Sequence, residues 1–388
     1  MHFERADSIV AAWVADERIP GAVLIASWGS EVPLTSAHGF SKLYDFGDGQ
    51  YPGQAGLTRL TPPDRMTPAT VFDLASVTKV MATTMAMILL VDRGAVDVDA
   101  PISTYLPDFT GPDRGTITPR HLLTHRSGLP QWLPVYYHAS DADAAYEYVR
   151  SRPLTWPVGE ERHYSDLGFM VLGRLVEAVS GTDLDAFLQT ELYGPIGLAT
   201  TGFLPEVGPR AVAATSHGNP FERRMVHDTS FGYRIEGDAD EWDSWRRYTL
   251  AGEVNDGNAH HAFEGVAGHA GLFASAAELE VLLRLLLDGG VGADGERFAA
   301  ADVVERFLAP TGEGQALGWQ LPDYAPDGSF GHTGFTGTFV LGVPSQELAV
   351  VLLTNRQNVG VDGETGYIDV GPLQRAVVEA LAGSPPPS

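Results

Sequence analysis

Cysteine is absent from the 388 residues. Disulfides, thiol catalysis and cysteine-held metals are therefore excluded, and nothing fixes a redox compartment. Positive charge is scarce as well, with 25 Lys and Arg against 50 Asp and Glu and a formal net charge of −25. Acidity on this scale argues against nucleic acid, whose phosphates are met by Lys and Arg, and against anionic membranes. The chain offers no run of ~18 apolar residues of the kind expected to cross a membrane. Its start, Met1 to Glu17, reads as an acid-capped amphipathic helix rather than a basic region followed by an apolar core, so a cytoplasmic location is expected. No internal repeat or long linker interrupts the chain, and 44% hydrophobic residues suffice for a substantial core.

Lysine is the scarcest cation, present only as Lys42 and Lys79. The second lies three residues after Ser76 in Phe72-Asp-Leu-Ala-Ser-Val-Thr-Lys79. Arginine cannot release its proton in a protein, whereas a desolvated lysine can, so only lysine can relieve a serine of its hydroxyl proton. The apolar run from Lys79 to Asp92 predicts a long helix that Ser76 opens. Residues three apart share a helical face, about 5–6 Å between Cβ atoms, and the helix N-terminus stabilises developing negative charge. Ser76 is the candidate nucleophile. Alone, the tetrapeptide also fits a helix cap followed by a surface lysine.

Two downstream segments change that balance. Tyr164-Ser165-Asp166 precedes an apolar helix, Leu167 to Val179, and Phe330-Gly-His332-Thr333-Gly334-Phe335-Thr-Gly-Thr338 stands between strand-like runs. In this order the three sites resemble the serine β-lactamase and penicillin-binding-protein superfamily, whose signatures are Ser-x-x-Lys, Tyr-x-Asn and Lys-Thr-Gly. The resemblance runs from about residue 8 to 380. It includes Thr116 to Pro130, Gly265 to Phe273, Gly318-Trp319 and Leu352 to Arg356, which look like the class C-like branch with its family VIII esterases and D-aminopeptidase-like hydrolases.

The resemblance implies Ser76, Lys79 and Tyr164 as catalytic residues. It implies an oxyanion held between the N–H groups of Ser76 and Phe335, with Asp166, His332, Thr333 and Gly334 lining the substrate. Two departures bear on specificity. His332 replaces the lysine that helps hold a substrate carboxylate, and imidazole is largely neutral at pH 7. Asp166 replaces asparagine with a group that, ionised, only accepts hydrogen bonds. It is expected to pair with Lys79, hold it protonated and shift proton transfer toward Tyr164, which can act as base only if positive charge lowers its pKa.

The implied fold is α+β: an antiparallel sheet flanked by terminal helices, with a mostly helical part inserted. Residues 1–382 form one catalytic domain in this reading, with 1–70 and 289–382 building the sheet part and 71–288 the helical part. A first helix is expected at about 4–17, strands at Gly21 to Trp28, Pro33 to Gly39, 316–321, 328–333, 337–343 and 347–354, and a last helix from Val370 to Leu381. Asp45 to Pro68 reads as a loop and 383–388 as a disordered tail.

Other groupings carry less. His121 and His125 share a helical face without the glutamate of a zinc-protease motif, and His260, His261 and His269 near Asp256 are expected to shape a loop at the cleft rim rather than bind metal. Neither a metal nor a cofactor is expected, and Gly265 to Gly271 lacks the context of a nucleotide fingerprint. The polar stretch Asp228 to Asn258, with Trp242, Trp245 and Tyr248, fits either a lid or an anchored surface insertion.

The expected activity is a serine hydrolase working through an acyl-enzyme on short-chain esters or small amides. A D-amino-acid peptidase, D,D-carboxypeptidase or weak β-lactamase is the rival enzyme reading, and a non-catalytic binding module on the same fold is the third. The oligomeric state and natural substrate are not legible.

Overall fold

Strands from the two ends of the chain meet in one sheet. The computed structural model describes residues 2–46, 56–205, 212–233, 235–361 and 366–383. In chain order the strands are β1 (Gly21–Trp28), β2 (Leu34–Asp45), β3 (Thr58–Arg65), β4 (Val71–Asp73), β5 (Gly202–Phe203), β6 (Leu272–Ser275), β7 (Phe330–Thr333), β8 (Thr338–Val343) and β9 (Leu348–Thr354). Six of them form an antiparallel sheet in the order β3-β2-β1-β9-β8-β7. The register Ala22↔Thr354 through Trp28↔Leu348 joins the ends of the chain.

β1 and β9 are buried at every position, as central strands covered on both faces must be. Their alternation divides the core. Leu24, Val350 and Leu352 pack with Ala6, Val10 and Trp13 of the first helix (His2–Ala15) and with Leu373, Val377 and Leu381 of the last (Gly371–Ala382). Val23, Ile25, Val351 and Leu353 belong to the larger cluster that holds Leu279, Leu282 and Leu286 of the helix Ala276–Leu287. Each such side chain contributes about 1.5–3 kcal/mol on full burial, so a one-residue slip of β1 against β9 would misplace both cores at once.

β4, β6 and β5 form a smaller antiparallel sheet. β4 runs directly into a 3₁₀ turn (Ala75–Val77), a π-helical turn (Lys79–Thr84) and an α-helix (Met85–Asp92). The single long helix expected after Ser76 is thus three kinds of helical turn in series. By composition, the 18 residues Ala75–Asp92 are long and apolar enough to cross a membrane, contrary to the reading of the sequence, yet 83% of the segment is buried inside the fold as a core helix.

Other boundaries shift. Residues 47–55 of the expected loop lie outside the described residues, and the part from Thr58 to Arg65 is a strand paired to β2. The strand expected at 316–321 is absent: Gln320 makes only isolated bridges to Gly331 and Gln315. Of the tail, 384–388 lie outside the described residues.

Candidate active site

Ser76 sits at the seam between the two sheets. Asp73, at the end of β4, is 1% exposed and accepts the Ala75 N–H through Oδ1 at 2.8 Å and the Asn255 N–H through Oδ2 at 2.6 Å. Ala75 adopts φ 46°, a left-handed conformation uncommon for a residue with a Cβ, and so projects Ser76 from the strand end. Burial pushes the Asp73 carboxyl up to about 6, against the pull of the two N–H donors.

The strand after His332 closes over this turn. Thr336 Oγ1 donates to Asp73 O at 2.8 Å and Thr338 Oγ1 donates to Leu74 O at 2.9 Å. A Cβ on Gly334 would collide with Thr338 Oγ1 and Leu74 O, so only glycine lets the strand come this close. The following residue, Phe335, has its carbonyl turned outward onto Arg356, with Nε at 3.1 Å and Nη2 at 2.7 Å.

Lys79 is fully buried. Its Nζ donates to Ser76 Oγ at 3.2 Å and His269 O at 3.1 Å and lies 2.7 Å from Asp166 Oδ1. Burial disfavours its charge, but Asp166 and Tyr164 outweigh burial and raise its pKa, so the resting amine is an ammonium, as the pairing with Asp166 predicts. Tyr164 is half-buried, its ring 5.0 Å from Lys79 Nζ and its hydroxyl within hydrogen-bonding reach of Lys79 and Ser76. Burial raises the tyrosine pKa and Lys79 only partly offsets it. The lowering that would make Tyr164 a resting base is therefore not met, and the phenol stays protonated.

Two histidines flank Tyr164. His125 lies 4.5 Å away between ring centroids, takes φ 58° and accepts the Ser165 N–H on Nδ1 at 3.1 Å. It positions the turn that carries Tyr164 rather than a metal. His332 is 6.1 Å from Tyr164, with Nδ1 donating to Thr333 O at 2.8 Å, and burial together with Lys79 pushes its pKa down to about 3. At the position of the signature lysine stands a neutral ring.

Ser76, Tyr164, Asp166 and Phe335 share a cleft of about 330 Å³ with Trp132, Phe221, Phe231, Tyr233, Glu222, Asp256 and His269. A second recess lined by Ser76, Tyr164, Thr333, Gly334 and Arg356 opens beside it. All eight residues singled out in the sequence thus converge: six line one recess or the other, Lys79 lies buried between Ser76 and Asp166, and His332 borders Tyr164. Missed were Asp73, Glu222 and the place of Asp256 in the cleft wall. A lone carboxylate inside the apolar run Val71 to Val77 was the available signal for Asp73.

The polar stretch Asp228 to Asn258 is both cover and anchor. Phe231 and Tyr233 line the cleft, whereas Trp242 stacks on Tyr137 at 5.5 Å and Trp245 is buried near Tyr136. His261 packs on Tyr136 and Trp242, and among the described residues no group of three or more His, Asp or Glu is placed to hold a metal ion. Gly268, in the Gly-rich segment, has no room for a Cβ against Phe169 O and Gly173, so that segment presses His269 O onto Lys79.

A serine beside a buried lysine, at the junction of an antiparallel sheet and a helical part, is the arrangement found in serine hydrolases of the penicillin-recognising type. Residues 6–370 match the Beta-lactamase family, and the chain belongs to it. It is 32% identical over 370 residues to the N-acetylmuramyl-L-alanine amidase of Bacillus subtilis (strain 168), covering 88% of this chain and 78% of that protein. It is 30% identical over 376 residues to an Escherichia coli (strain K12) protein provisionally named a D-alanyl-D-alanine carboxypeptidase, covering 89% and 81%. Among solved structures, a penicillin-binding protein homologue from Caulobacter crescentus superposes with a TM-score of 0.71 at 19% identity, over 98% of this chain and 96% of that one. This last likeness concerns the fold.

Proposed function

We propose that the protein hydrolyses short-chain esters or small amides through an acyl group carried on Ser76. The observation that carries the reading is the Ser76–Lys79–Asp166 chain, with contacts of 3.2 and 2.7 Å, beside a glycine-tight strand. As substrate displaces water, Lys79 passes its proton to Asp166 and then takes the Ser76 proton. Ser76 Oγ bonds to the carbonyl carbon, and the oxyanion rests on the N–H groups of Ser76 and Phe335. Tyr164 protonates the leaving oxygen or nitrogen as its bond to carbon breaks, and regains a proton from Lys79. Water then cleaves the acyl-enzyme by the reverse relay.

Substrates bearing a carboxylate at the His332 position are disfavoured, because that ring is neutral and Arg356, the guanidinium beside the cleft, is turned onto the carbonyls of Phe335 and Ile368. This weighs against D,D-carboxypeptidase and β-lactamase activity. The relatives named for amide cleavage favour amides as a second reading within the same mechanism.

The test is hydrolysis of p-nitrophenyl butyrate and a chromogenic cephalosporin by wild type, Ser76→Ala and His332→Lys. Ester turnover lost in Ser76→Ala, with cephalosporin cleavage appearing only in His332→Lys, is the expected result. Efficient cephalosporin cleavage by the wild type would overturn the specificity argument, and ester turnover that survives Ser76→Ala would overturn the mechanism.

A further inference from the structure

Arg356 is half-buried, and it forms no ion pair with a carboxylate among the described residues of a chain that carries 50 Asp and Glu. Its charge is directed at backbone instead. Nε and Nη2 both donate to Phe335 O, at 3.1 and 2.7 Å, and Nη1 donates to Ile368 O at 2.7 Å. Gln357, fully buried, brings its Nε2 to the same Phe335 oxygen at 3.3 Å. A carbonyl oxygen offers two lone pairs, so three donors exceed what satisfying it requires. The surplus serves orientation.

The carbonyl so gripped belongs to a tight turn. Gly337 N donates to Gly334 O at 2.9 Å, closing four residues with Phe335 and Thr336 at the centre. The Phe335 N–H takes no part in that closure and enters no hydrogen bond among the described residues. It shares a rigid peptide plane with Gly334 O, which Gly337 N–H holds. The next plane carries Phe335 O, which Arg356 holds. With both planes fixed, φ and ψ of Phe335 are set together. On the inner side, Thr336 Oγ1 ties the turn to Asp73 O beside Ser76, so Arg356 acts from the opposite, outer side. A Cβ on Gly337 would lie 3.0 Å from Arg356 Cγ, so the arginine stem runs directly against the turn. Two N–H groups converging on one oxygen suit a planar fork, whereas an ammonium is a point charge on a flexible stem.

We propose that Arg356 is a positioning residue for the oxyanion donor, holding the turn from outside so that the Phe335 N–H faces the carbonyl attacked by Ser76. This rests on Ser76 being the nucleophile and on Phe335 supplying an oxyanion donor. Through Ile368 O the same guanidinium braces the turn against the segment that leads into the last helix, Gly371–Ala382.

The experiment measures p-nitrophenyl butyrate hydrolysis and inhibition by 1-butaneboronic acid for wild type, Ser76→Ala, Arg356→Ala and Arg356→Lys, with near-ultraviolet circular dichroism as the check of folding. The boronic acid bonds to a serine oxygen as a tetrahedral adduct and places an oxygen where the oxyanion forms. Arg356→Ala is expected to lower kcat by about 10–100-fold while KM changes less than about threefold, the scale of a displaced oxyanion donor. The boronic acid should weaken by a similar factor, and added methylguanidinium should restore part of kcat. Arg356→Lys keeps the charge and the stem but not the fork, so it is expected to recover little. It carries the test where Arg356→Ala does not fold. Near wild-type kcat in either folded variant overturns the proposal, as does a loss confined to KM with boronic acid affinity unchanged. Absence of any Ser76-dependent turnover in the wild type overturns the hydrolase reading instead.

Discussion

Gly334→Ala tests how closely the oxyanion strand is coupled to the nucleophile turn. Gly334 N donates to Thr338 O at 2.7 Å, and Thr338 Oγ1 donates to Leu74 O at 2.9 Å, so the glycine Cα lies against a hydrogen bond that belongs to the Ser76 turn. A Cβ there would sit under 3.0 Å from both Thr338 Oγ1 and Leu74 O. The threonine could rotate, but Leu74 O is backbone at the start of the strained turn. Restoring ordinary contact requires the strand to retreat by an amount on the order of 1 Å, a displacement that can cost about 100-fold in rate. The proposed Phe335 N–H donor moves with it, and losing one such donor typically costs about 10²–10³ in kcat. Overpacking of this kind costs about 1–3 kcal/mol of stability. Steady-state kinetics on p-nitrophenyl butyrate, with urea unfolding alongside, should therefore give a folded enzyme whose kcat falls far more than its KM changes. Gly334→Ala combined with Thr338→Ala should regain little, since Leu74 O remains. A folded Gly334→Ala enzyme with kcat near wild type would refute the coupling.

Further outcomes follow from the same geometry. Lys79→Arg keeps the charge facing Asp166 but cannot release a proton, so kcat should drop by about 10²–10⁴; near wild-type kcat in a protein with native circular dichroism would show that proton release from residue 79 is not needed. Asp166→Asn removes the proposed recipient of the Lys79 proton, so the acid limb of kcat/KM should move to higher pH, and an unmoved limb would exclude that route. Burial raises Asp73 from 3.8 to about 6, so its stabilising contribution is present in acid and is lost as pH rises through about 6. At about 1.36 kcal/mol per pH unit this amounts to about 3 kcal/mol, and urea unfolding of wild type and Asp73→Asn should show their difference shifting toward the variant by that order between pH 4 and pH 7. A difference that does not vary with pH would contradict the burial argument.

The parts legible in the sequence were those whose physics is local. Two largely apolar runs, Gly21 to Trp28 and Leu348 to Thr354, read as buried strands, and the need to pair them closed the chain on itself. Ser76 and Lys79 are one helical turn apart, and the scarcity of lysine drew attention to them. The strand Thr58–Arg65 was not legible because it carries two prolines and is mostly exposed at the sheet edge, where neither alternation nor apolar content marks it. The strained turn was hidden for a different reason: Asp73 is held by Asn255, 182 positions away, and no spacing rule links them. Glu222 likewise joins the cleft wall only with Gly257 and Asp256, which folding brings beside it. The balance of burial against charge at Tyr164 also depends on how tightly the cleft encloses it.

The central claim is that Ser76 carries the acyl group. Acid quenching of wild type during steady-state turnover of p-nitrophenyl butyrate, followed by intact-mass and peptide mass spectrometry, tests it directly. A mass increase of one butyryl group on the peptide containing Ser76, absent in Ser76→Ala, is the predicted result. Butyryl found on another residue would contradict the account, as would turnover persisting in Ser76→Ala.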